Sequence, residues 1–143
     1  IGEDHTPETH LIPLILQTVL GKREKITVFG NDYPTADGSA VRDYVHVLDL
    51  ADAHIKAMKW IKENNRSDAF NLGNGEGFSV MQVIQKTQEV TRCNVKYEIG
   101  ARRSGDPAVL IASSEKAHTV LGWTPRYSRL EEIIQTAYNW HKK

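Results

Sequence analysis

The sequence predicts a mixed α/β domain, because helical and strand-like patterns alternate along the chain. Some segments repeat apolar residues every three or four positions, and others are short continuous apolar runs. Turn residues separate these segments, and no internal repeat or low-complexity stretch interrupts them. A chain of 143 residues has the usual length of one domain and can bury a hydrophobic core.

Short apolar runs predict the strands, and one-sided apolar periodicity predicts the helices. The strands are expected at residues 26–29, 44–47, 69–72 and 95–99. The helices are expected at residues 11–20, 50–61, 80–90, 114–121 and 130–138. Residues 30–40 contain glycine, proline and Asp-Gly, and are predicted to form a loop with turns.

Residues that commonly begin or end helices flank most of these helical segments. Pro13 suits the first turn of the first helix, and Gly21 suits its end. Ser79 and Gln82 form a capping box ahead of the third helix. The other expected boundaries are an N-cap at Asp49, an N-cap at Ser113 or Ser114, a stop at Gly122, and a cap formed by Ser128 with Glu131.

Composition excludes several classes of partner and location. Eighteen basic and eighteen acidic side chains give a net charge of zero, so no basic excess favours nucleic acid or an anionic membrane. The longest apolar run, residues 11–20, is too short to cross a bilayer. Cys93 is the single cysteine and no secretory signal opens the chain, which favours the cytoplasm. The first residue is Ile1 and the first methionine is Met58, so we expect a piece of a longer chain.

Two motifs imitate functional sites without meeting their requirements. Gly73-x-Gly75-x-Gly77 follows a predicted strand, but Phe78 stands where a dinucleotide-binding loop needs its third glycine. Tyr138-x-x-x-Lys142 has the spacing of a proton-transferring Tyr and Lys pair, but Lys142 is next to the chain end and Tyr138 lies on an apolar stripe. We therefore predict a structural turn and core packing. The six histidines show no metal-ligand spacing, so no metal site is predicted.

The group of residues most informative about function consists of two loops that carry arginines and an aromatic residue at the end of a predicted strand. The segments are Phe29-Gly30-Asn31-Asp32-Tyr33-Pro34-Thr35, Arg42-Asp43-Tyr44 and Arg102-Arg103-Ser104-Gly105-Asp106-Pro107-Ala108. Arginine suits a diphosphate, a carboxylate suits ribose hydroxyls, and an aromatic ring can cover a base. The same charges also suit solvated surface pairs, which contribute little. The residue types alone leave both interpretations open.

These segments and several others occur in the same order in UDP-glucose 4-epimerases. The further blocks are Gly2-Glu3-Asp4, Leu11-Ile12-Pro13, Val45-His46-Val47, Asp49-Leu50-Ala51, Asn71-Leu72-Gly73 and Leu121-Gly122-Trp123. Over nearly its whole length the chain resembles the C-terminal portion of that family, within the extended short-chain dehydrogenases. The resemblance implies a substrate-binding lobe with the last strand and helix elements of a Rossmann half.

The resemblance also assigns residues to a UDP-sugar pocket. It implies that Arg42 and Arg103 bind the diphosphate, that Asp106 takes the ribose hydroxyls, and that Phe29 lines the uracil pocket. Further pocket positions implied by it are Thr27, Leu11 and His10, with Leu110 where an aromatic residue can occur. It implies no catalytic residue within this chain.

The family interconverts UDP-glucose and UDP-galactose by NAD-mediated oxidation and reduction at C4 of the hexose. An N-terminal Rossmann half holds NAD and carries the catalytic Tyr and Lys, so the resemblance implies that this chain is inactive alone and binds no NAD. UDP-glucose or UDP-galactose and the missing half are the expected partners, and exposed apolar faces are expected to self-associate. The alternatives are a part of another nucleotide-sugar epimerase, dehydratase or decarboxylase, and a binding or assembly module without chemistry.

Overall fold

The computed structural model describes residue 2 and residues 4–143. Ile1 and Glu3, the latter part of the Gly2-Glu3-Asp4 block, lie outside the described residues. The helices are α1 Leu11–Val19, α2 Val47–Asn64, α3 Val80–Thr91, α4 Glu115–Leu121 and α5 Leu130–His141. The strands are β1 Ile26–Phe29, β2 Val41–Asp43, β3 Gly77–Ser79, β4 Tyr97–Gly100 and β5 Val109–Leu110. The predicted α/β class is confirmed.

The strands form two small sheets. In the first, β1 and β4 run parallel, with Ile26 opposite Tyr97 and Phe29 opposite Gly100. In the second, β2 lies between an antiparallel β3 and a parallel β5. The parallel pairs join segments that are far apart in the chain, so the residues after β4 return beside β1 and β2.

Two hydrophobic clusters hold the elements together. In the larger one, the apolar faces of α1, α3 and α5 pack with the buried residues of β1. Its fully buried members include Ile15, Leu16, Val83 and Ile134. In the smaller one, Trp123 packs against α2 and α4. Burial of such side chains contributes about 1.5–3 kcal/mol each.

Most of the predicted elements are confirmed with shifted ends, but the strand predicted at residues 44–47 is wrong. β2 lies earlier, at Val41–Asp43, because those residues pair with β3 and β5. The chain then turns, and α2 begins at Val47 with His46 as its N-cap instead of Asp49. The His46 ring accepts a hydrogen bond from the Leu48 backbone N–H through Nδ1, at 3.0 Å.

Asp49 has a different structural role from the predicted cap. It is only 2% exposed, and its two carboxylate oxygens accept hydrogen bonds from the backbone N–H groups of Arg126 and Tyr127, each at 3.0 Å. The Trp123 indole N–H donates to the Asp49 carbonyl oxygen at 2.9 Å. Asp49 therefore fastens the segment before α5 to the start of α2.

Two further local predictions are wrong. Residues 69–72 form no strand, since no strand of the described part of the chain pairs with them. The cap predicted at Ser128 with Glu131 does not form, because α5 begins one residue later with Arg129 as its N-cap and no side-chain cap bond. Glu131 pairs with Arg129, and the Ser128 carbonyl oxygen accepts a hydrogen bond from Asn74 instead.

The capping box and the glycine stops are confirmed. The Ser79 hydroxyl accepts from the Gln82 backbone N–H at 3.0 Å, and the Gln82 side chain accepts from the Ser79 N–H at 2.8 Å. Gly122 adopts a φ of 60° and ends α4. Among the helices of the described residues, none is long and apolar enough to cross a membrane.

Candidate functional site

A cavity of about 660 Å³ opens between α1, β1, β2 and the loop after β4. Every residue assigned above to the UDP-sugar pocket, apart from Leu110, lines this cavity: His10, Leu11, Thr27, Phe29, Arg42, Arg103 and Asp106. Leu110 lies on β5, opposite Arg42 in the sheet register, and is 58% exposed without lining the cavity. The fold thus brings together residues from four separate segments.

Arg42 and Asp106 form an ion pair across the cavity wall. Nη2 of Arg42 donates to Oδ1 of Asp106, and Nη1 donates to the Val41 carbonyl oxygen at 2.6 Å. Both side chains are partly shielded, with 22% and 31% of their surfaces exposed. Such a pair places a cation and a hydrogen-bond acceptor side by side, which suits a ligand with both phosphate and hydroxyl groups.

Arg103 stacks on Phe29 at the other side of the cavity. The guanidinium carbon lies 3.9 Å from the centroid of the Phe29 ring. Phe29 is the last residue of β1, lines the cavity and remains 37% exposed. A planar cation and a flat ring at one edge of a cavity can hold a phosphate and a base, respectively.

Thr27 contributes to the cavity from the middle of β1. Its hydroxyl donates to Oε1 of Glu98 at 3.2 Å, and Glu98 also pairs with Lys25 at 2.6 Å. The hydrogen bond from Lys25 contributes most to lowering the pKa of Glu98, so this carboxylate stays ionised. The Thr27 hydroxyl is therefore already bonded across the β1–β4 sheet.

His10 and Leu11 enter the cavity from the start of α1. Oε1 of Glu8 accepts hydrogen bonds from the backbone N–H groups of Thr9 and His10, at 2.8 and 2.7 Å, and lies 2.9 Å from Nδ1 of His10. Burial opposes ionisation of Glu8, but these bonds outweigh it and lower the pKa of the carboxyl. The turn that these bonds fix sets where α1 begins.

The same turn brings together three groups able to hold a metal ion. Ligand atoms of His5, Glu8 and His10 all lie within 4.8 Å of one another. Histidine and carboxylate ligands suit zinc and similar ions. The sequence spacing alone did not indicate this cluster, because its members meet only through the bend before α1.

Three cavity residues that closely follow Arg42 in the chain were not predicted from the sequence. Tyr44 lines the cavity with a buried hydroxyl for which the described residues supply no hydrogen-bond partner. Burial raises the pKa of that hydroxyl, and Arg42 opposes the shift only in part. The sequence could have indicated Tyr44, because it follows Arg42 at the two-residue spacing that places side chains on one face of an extended segment.

Asp43 and His46 are the other two, and both fix the backbone near Arg42. The Asp43 carboxylate accepts from the backbone N–H groups of Asn74 and Ala112, at 2.9 and 3.3 Å. His46 lies 2.8 Å from the Thr136 hydroxyl through Nε2 and stacks on Tyr127. Burial lowers the pKa of His46, so the ring is held in its neutral form.

The two imitating motifs do not form a second site within the described residues. Gly77 belongs to β3, where an added Cβ would lie 2.6 Å from side-chain atoms of Val41 and Ile111. Gly77 is thus a strand residue and α3 begins only at Val80, so the glycines do not lead directly into a helix N-terminus that could bind a phosphate. Tyr138 packs against the larger hydrophobic cluster, and the Lys142 ammonium lies 5.6 Å from its ring centroid.

Comparisons with known proteins define the class to which this fold and cavity belong. Residues 2–137 match the family described as GDP-mannose 4,6 dehydratase. The chain belongs to that family, within the extended short-chain dehydrogenases.

UDP-glucose 4-epimerases are among the curated relatives and solved structures that the chain matches. The chain is 57% identical to the enzyme of Halalkalibacterium halodurans over 143 residues and 56% identical to that of Streptococcus mutans over 141 residues. A crystal structure of UDP-glucose 4-epimerase superposes with a TM-score of 0.93 at 54% identity, over 99% of this chain. The Bifidobacterium longum enzyme in complex with NAD⁺ and UDP matches 99% of the chain, with a TM-score of 0.87 at 33% identity.

The chain spans about two fifths of the length of these proteins. The alignment with the H. halodurans enzyme includes 100% of this chain and 43% of that enzyme, and the alignment with the S. mutans enzyme includes 99% and 42%. The first crystal structure matches 99% of this chain over 43% of its own length, and the B. longum structure matches over 42% of its own length.

Proposed function

We propose that this chain is the C-terminal, UDP-sugar-binding portion of a UDP-glucose 4-epimerase. The observation that carries the proposal is the convergence of its seven assigned residues on one cavity. The relatives named above support the UDP-glucose 4-epimerase class, and one of them was solved with UDP. The proposed substrates of the whole protein are UDP-glucose and UDP-galactose.

The cavity is suited to hold the part of the substrate that does not react. Arg42 and Arg103 bind the diphosphate through charge-assisted hydrogen bonds, and Asp106 accepts from the ribose hydroxyls. Phe29 covers the uracil ring. Anchoring through UDP leaves the hexose free to present either face at C4. The binding energy of the UDP, which does not react, then offsets the cost of orienting the hexose for the reaction.

NAD accompanies the enzyme in several of the solved relatives, and residues outside this chain are proposed to hold it. The glycine segment of this chain does not suit the cofactor, since Gly77 is packed within β3. NAD would supply the hydride chemistry at C4. Because neither a cofactor loop nor the catalytic Tyr and Lys were recognised in this sequence, the chain alone is proposed to be inactive.

Calorimetric titration of the chain with UDP, UDP-glucose and GDP tests this proposal. We expect UDP and UDP-glucose to bind and GDP to bind more weakly, because a larger purine must fit the space beside Phe29. Arg42→Ala and Arg103→Ala should each weaken UDP binding by roughly 10- to 100-fold, the usual cost of a lost charged hydrogen bond. Arg129→Ala is the matched control, since Arg129 pairs with Glu131 and does not itself line the cavity.

A well-folded chain that binds neither UDP nor UDP-glucose would contradict the proposal. Equal affinity for UDP and GDP would instead assign the cavity to a different nucleotide sugar. Light scattering before the titration establishes that one species is measured.

A further inference from the structure

Arg102 joins the loop that follows Phe29 to the loop that carries Arg103, although it is not among the described residues that line the cavity. Its Nε donates to Oδ1 of Asp32 at 2.6 Å, and its Nη2 donates to the Asp32 carbonyl oxygen. Its guanidinium carbon also lies 4.2 Å from the centroid of the Tyr33 ring. We call Arg102, Asp32 and Tyr33 the Arg102 clamp.

The backbone under the clamp permits only glycine. Gly30 has a φ of 88°, and an added Cβ would lie 2.7 Å from Cγ of Arg102 and 2.8 Å from Cε2 of Tyr33. The Gly30 N–H donates to the Gly100 carbonyl oxygen at 2.9 Å. The start of the loop after β1 is therefore bonded to the end of β4, next to Arg102.

Consecutive arginines stack on rings of the opposite loop. Arg102 lies over Tyr33, and Arg103 lies over Phe29. The Tyr33 ring is 5% exposed and so provides a fixed surface for the first arginine. Since Arg103 is the next residue in the chain, a fixed Arg102 restricts where the Arg103 guanidinium can lie.

We propose that the Arg102 clamp positions Phe29 and Arg103 for the uridine diphosphate, so that its residues set ligand affinity without touching the ligand. This inference rests on the proposed function. An exposed ion pair alone contributes little to stability. Holding binding groups in their bound arrangement raises affinity, because less conformational freedom is lost when the ligand binds.

The first test is UDP titration of the protein at its full natural length. Arg102→Gln should weaken UDP binding by about tenfold, as found for residues that act on a ligand only through its contacts. Arg129→Gln serves as the control for loss of one positive charge.

Asp32→Asn separates positioning from simple electrostatic attraction. Removing a negative charge from this loop should strengthen binding of an anionic nucleotide if Arg102 acts only through its charge. The clamp predicts weaker binding, because the amide is a poorer acceptor for the guanidinium. Unchanged or stronger UDP binding by Asp32→Asn overturns the proposal.

A measurement without ligand distinguishes this inference from the proposed function. In Arg102→Gln, hydrogen exchange of the Gly30 amide, which donates to the Gly100 carbonyl oxygen, should become about tenfold faster, because the contact between these segments opens more often. If the unsubstituted protein binds no UDP, the proposed function fails and the clamp's role toward that ligand fails with it. If it binds UDP and Arg102→Gln binds equally well, the clamp alone is wrong.

Discussion

At the scale of single residues, the binding groups of the cavity are paired with one another. Arg42 is bonded to Asp106, and Arg103 is stacked on Phe29. A nucleotide diphosphate entering the cavity therefore exchanges the Arg42–Asp106 ion pair for its own phosphate and ribose contacts. The side chain with the most specific expected partner is Asp106, because a carboxylate can recognise the ribose hydroxyls.

Removing one ribose hydroxyl tests that role. The unsubstituted protein should bind UDP about tenfold more tightly than 2′-deoxy-UDP, the size expected for one hydrogen bond to a charged group. In Asp106→Ala this preference should shrink to less than about twofold, since the acceptor is gone. Calorimetry with both nucleotides gives the ratio, and Asp52→Ala is the control carboxylate. If Asp106→Ala keeps the preference for UDP over 2′-deoxy-UDP, Asp106 does not bind the ribose hydroxyl.

His46 predicts a dependence of stability on pH. Its pKa is lowered in the folded chain by burial, so the unfolded chain takes up the proton first as the pH falls. The contribution of neutral His46 is therefore complete above its ordinary pKa near 6.5, and is lost as the pH falls from there toward the lower folded value. Protonation at Nδ1 also removes the acceptor that caps α2.

Urea unfolding at pH 7.5 and pH 5.5 measures this effect. The loss of unfolding free energy between the two pH values should be smaller in His46→Asn, because asparagine can cap the helix without titrating. His118→Asn, at an exposed histidine, should keep the loss of the unsubstituted chain. An equal loss in all three proteins would exclude His46 as its source.

At the scale of elements, Asp37 fastens the loop over residues 30–40 to the start of α3. Its Oδ1 accepts from the Ser39 N–H at 2.9 Å and the Ser39 hydroxyl at 2.7 Å, and its Oδ2 accepts from the Ser79 hydroxyl. Burial opposes ionisation of this carboxyl, but the hydrogen bonds from Ser79 and Ser39 lower its pKa overall. The cap residue of α3 is thus also the anchor of the loop.

Asp37→Ala should lower the free energy of unfolding by about 1–3 kcal/mol, because the serine donors lose their common acceptor. Asp52→Ala removes only the partly exposed i,i+4 pair with Lys56 and should cost less than about 0.5 kcal/mol. Urea denaturation of both variants measures the difference. Equal midpoints would show that the loop is held by other contacts.

The helices were more predictable from sequence than the strands and caps. The capping box of α3 depends on two residues three positions apart, so the local sequence suffices to predict it. The N-cap of α2 is a histidine, a residue type outside the usual capping set, and α5 has no side-chain cap at all. Residues 69–72 carry a strand pattern, but a strand needs a neighbour, which local sequence does not specify.

The site was predictable only in part. Arg42 and Asp106 are 64 positions apart, and no spacing rule indicates that they pair. Their assignment came from the resemblance of whole sequence blocks to a known family. The Arg102 clamp and the Tyr44 hydroxyl depend on how the loops fold, so neither was assigned before the structure was available.

At the scale of the whole molecule, α2 presents an apolar face that the described chain does not cover. Ile55, Met58 and Ile61 are 50%, 63% and 44% exposed and recur at three-residue spacing along the helix. Contiguous exposed apolar surface usually marks a site of association. We expect the remainder of the proposed enzyme to cover this face, and the isolated chain to self-associate through it.

Light scattering of the 143-residue chain tests that expectation. The unsubstituted chain should show a mass above that of a monomer, and Met58→Glu should shift it toward the monomer because burying the new charge is costly. Gln135→Glu adds the same charge on an exposed position of α5 and should leave the mass unchanged. A monomeric unsubstituted chain would mean that this face does not drive association.

The cavity is proposed to bind UDP through Arg42, Arg103, Asp106 and Phe29. The most direct test is to soak crystals of the protein with UDP and determine the structure. We predict diphosphate oxygens within hydrogen-bond distance of both guanidinium groups, with Asp106 at the ribose and the uracil beside Phe29. UDP bound at another place on the molecule, with this cavity empty, would contradict the account.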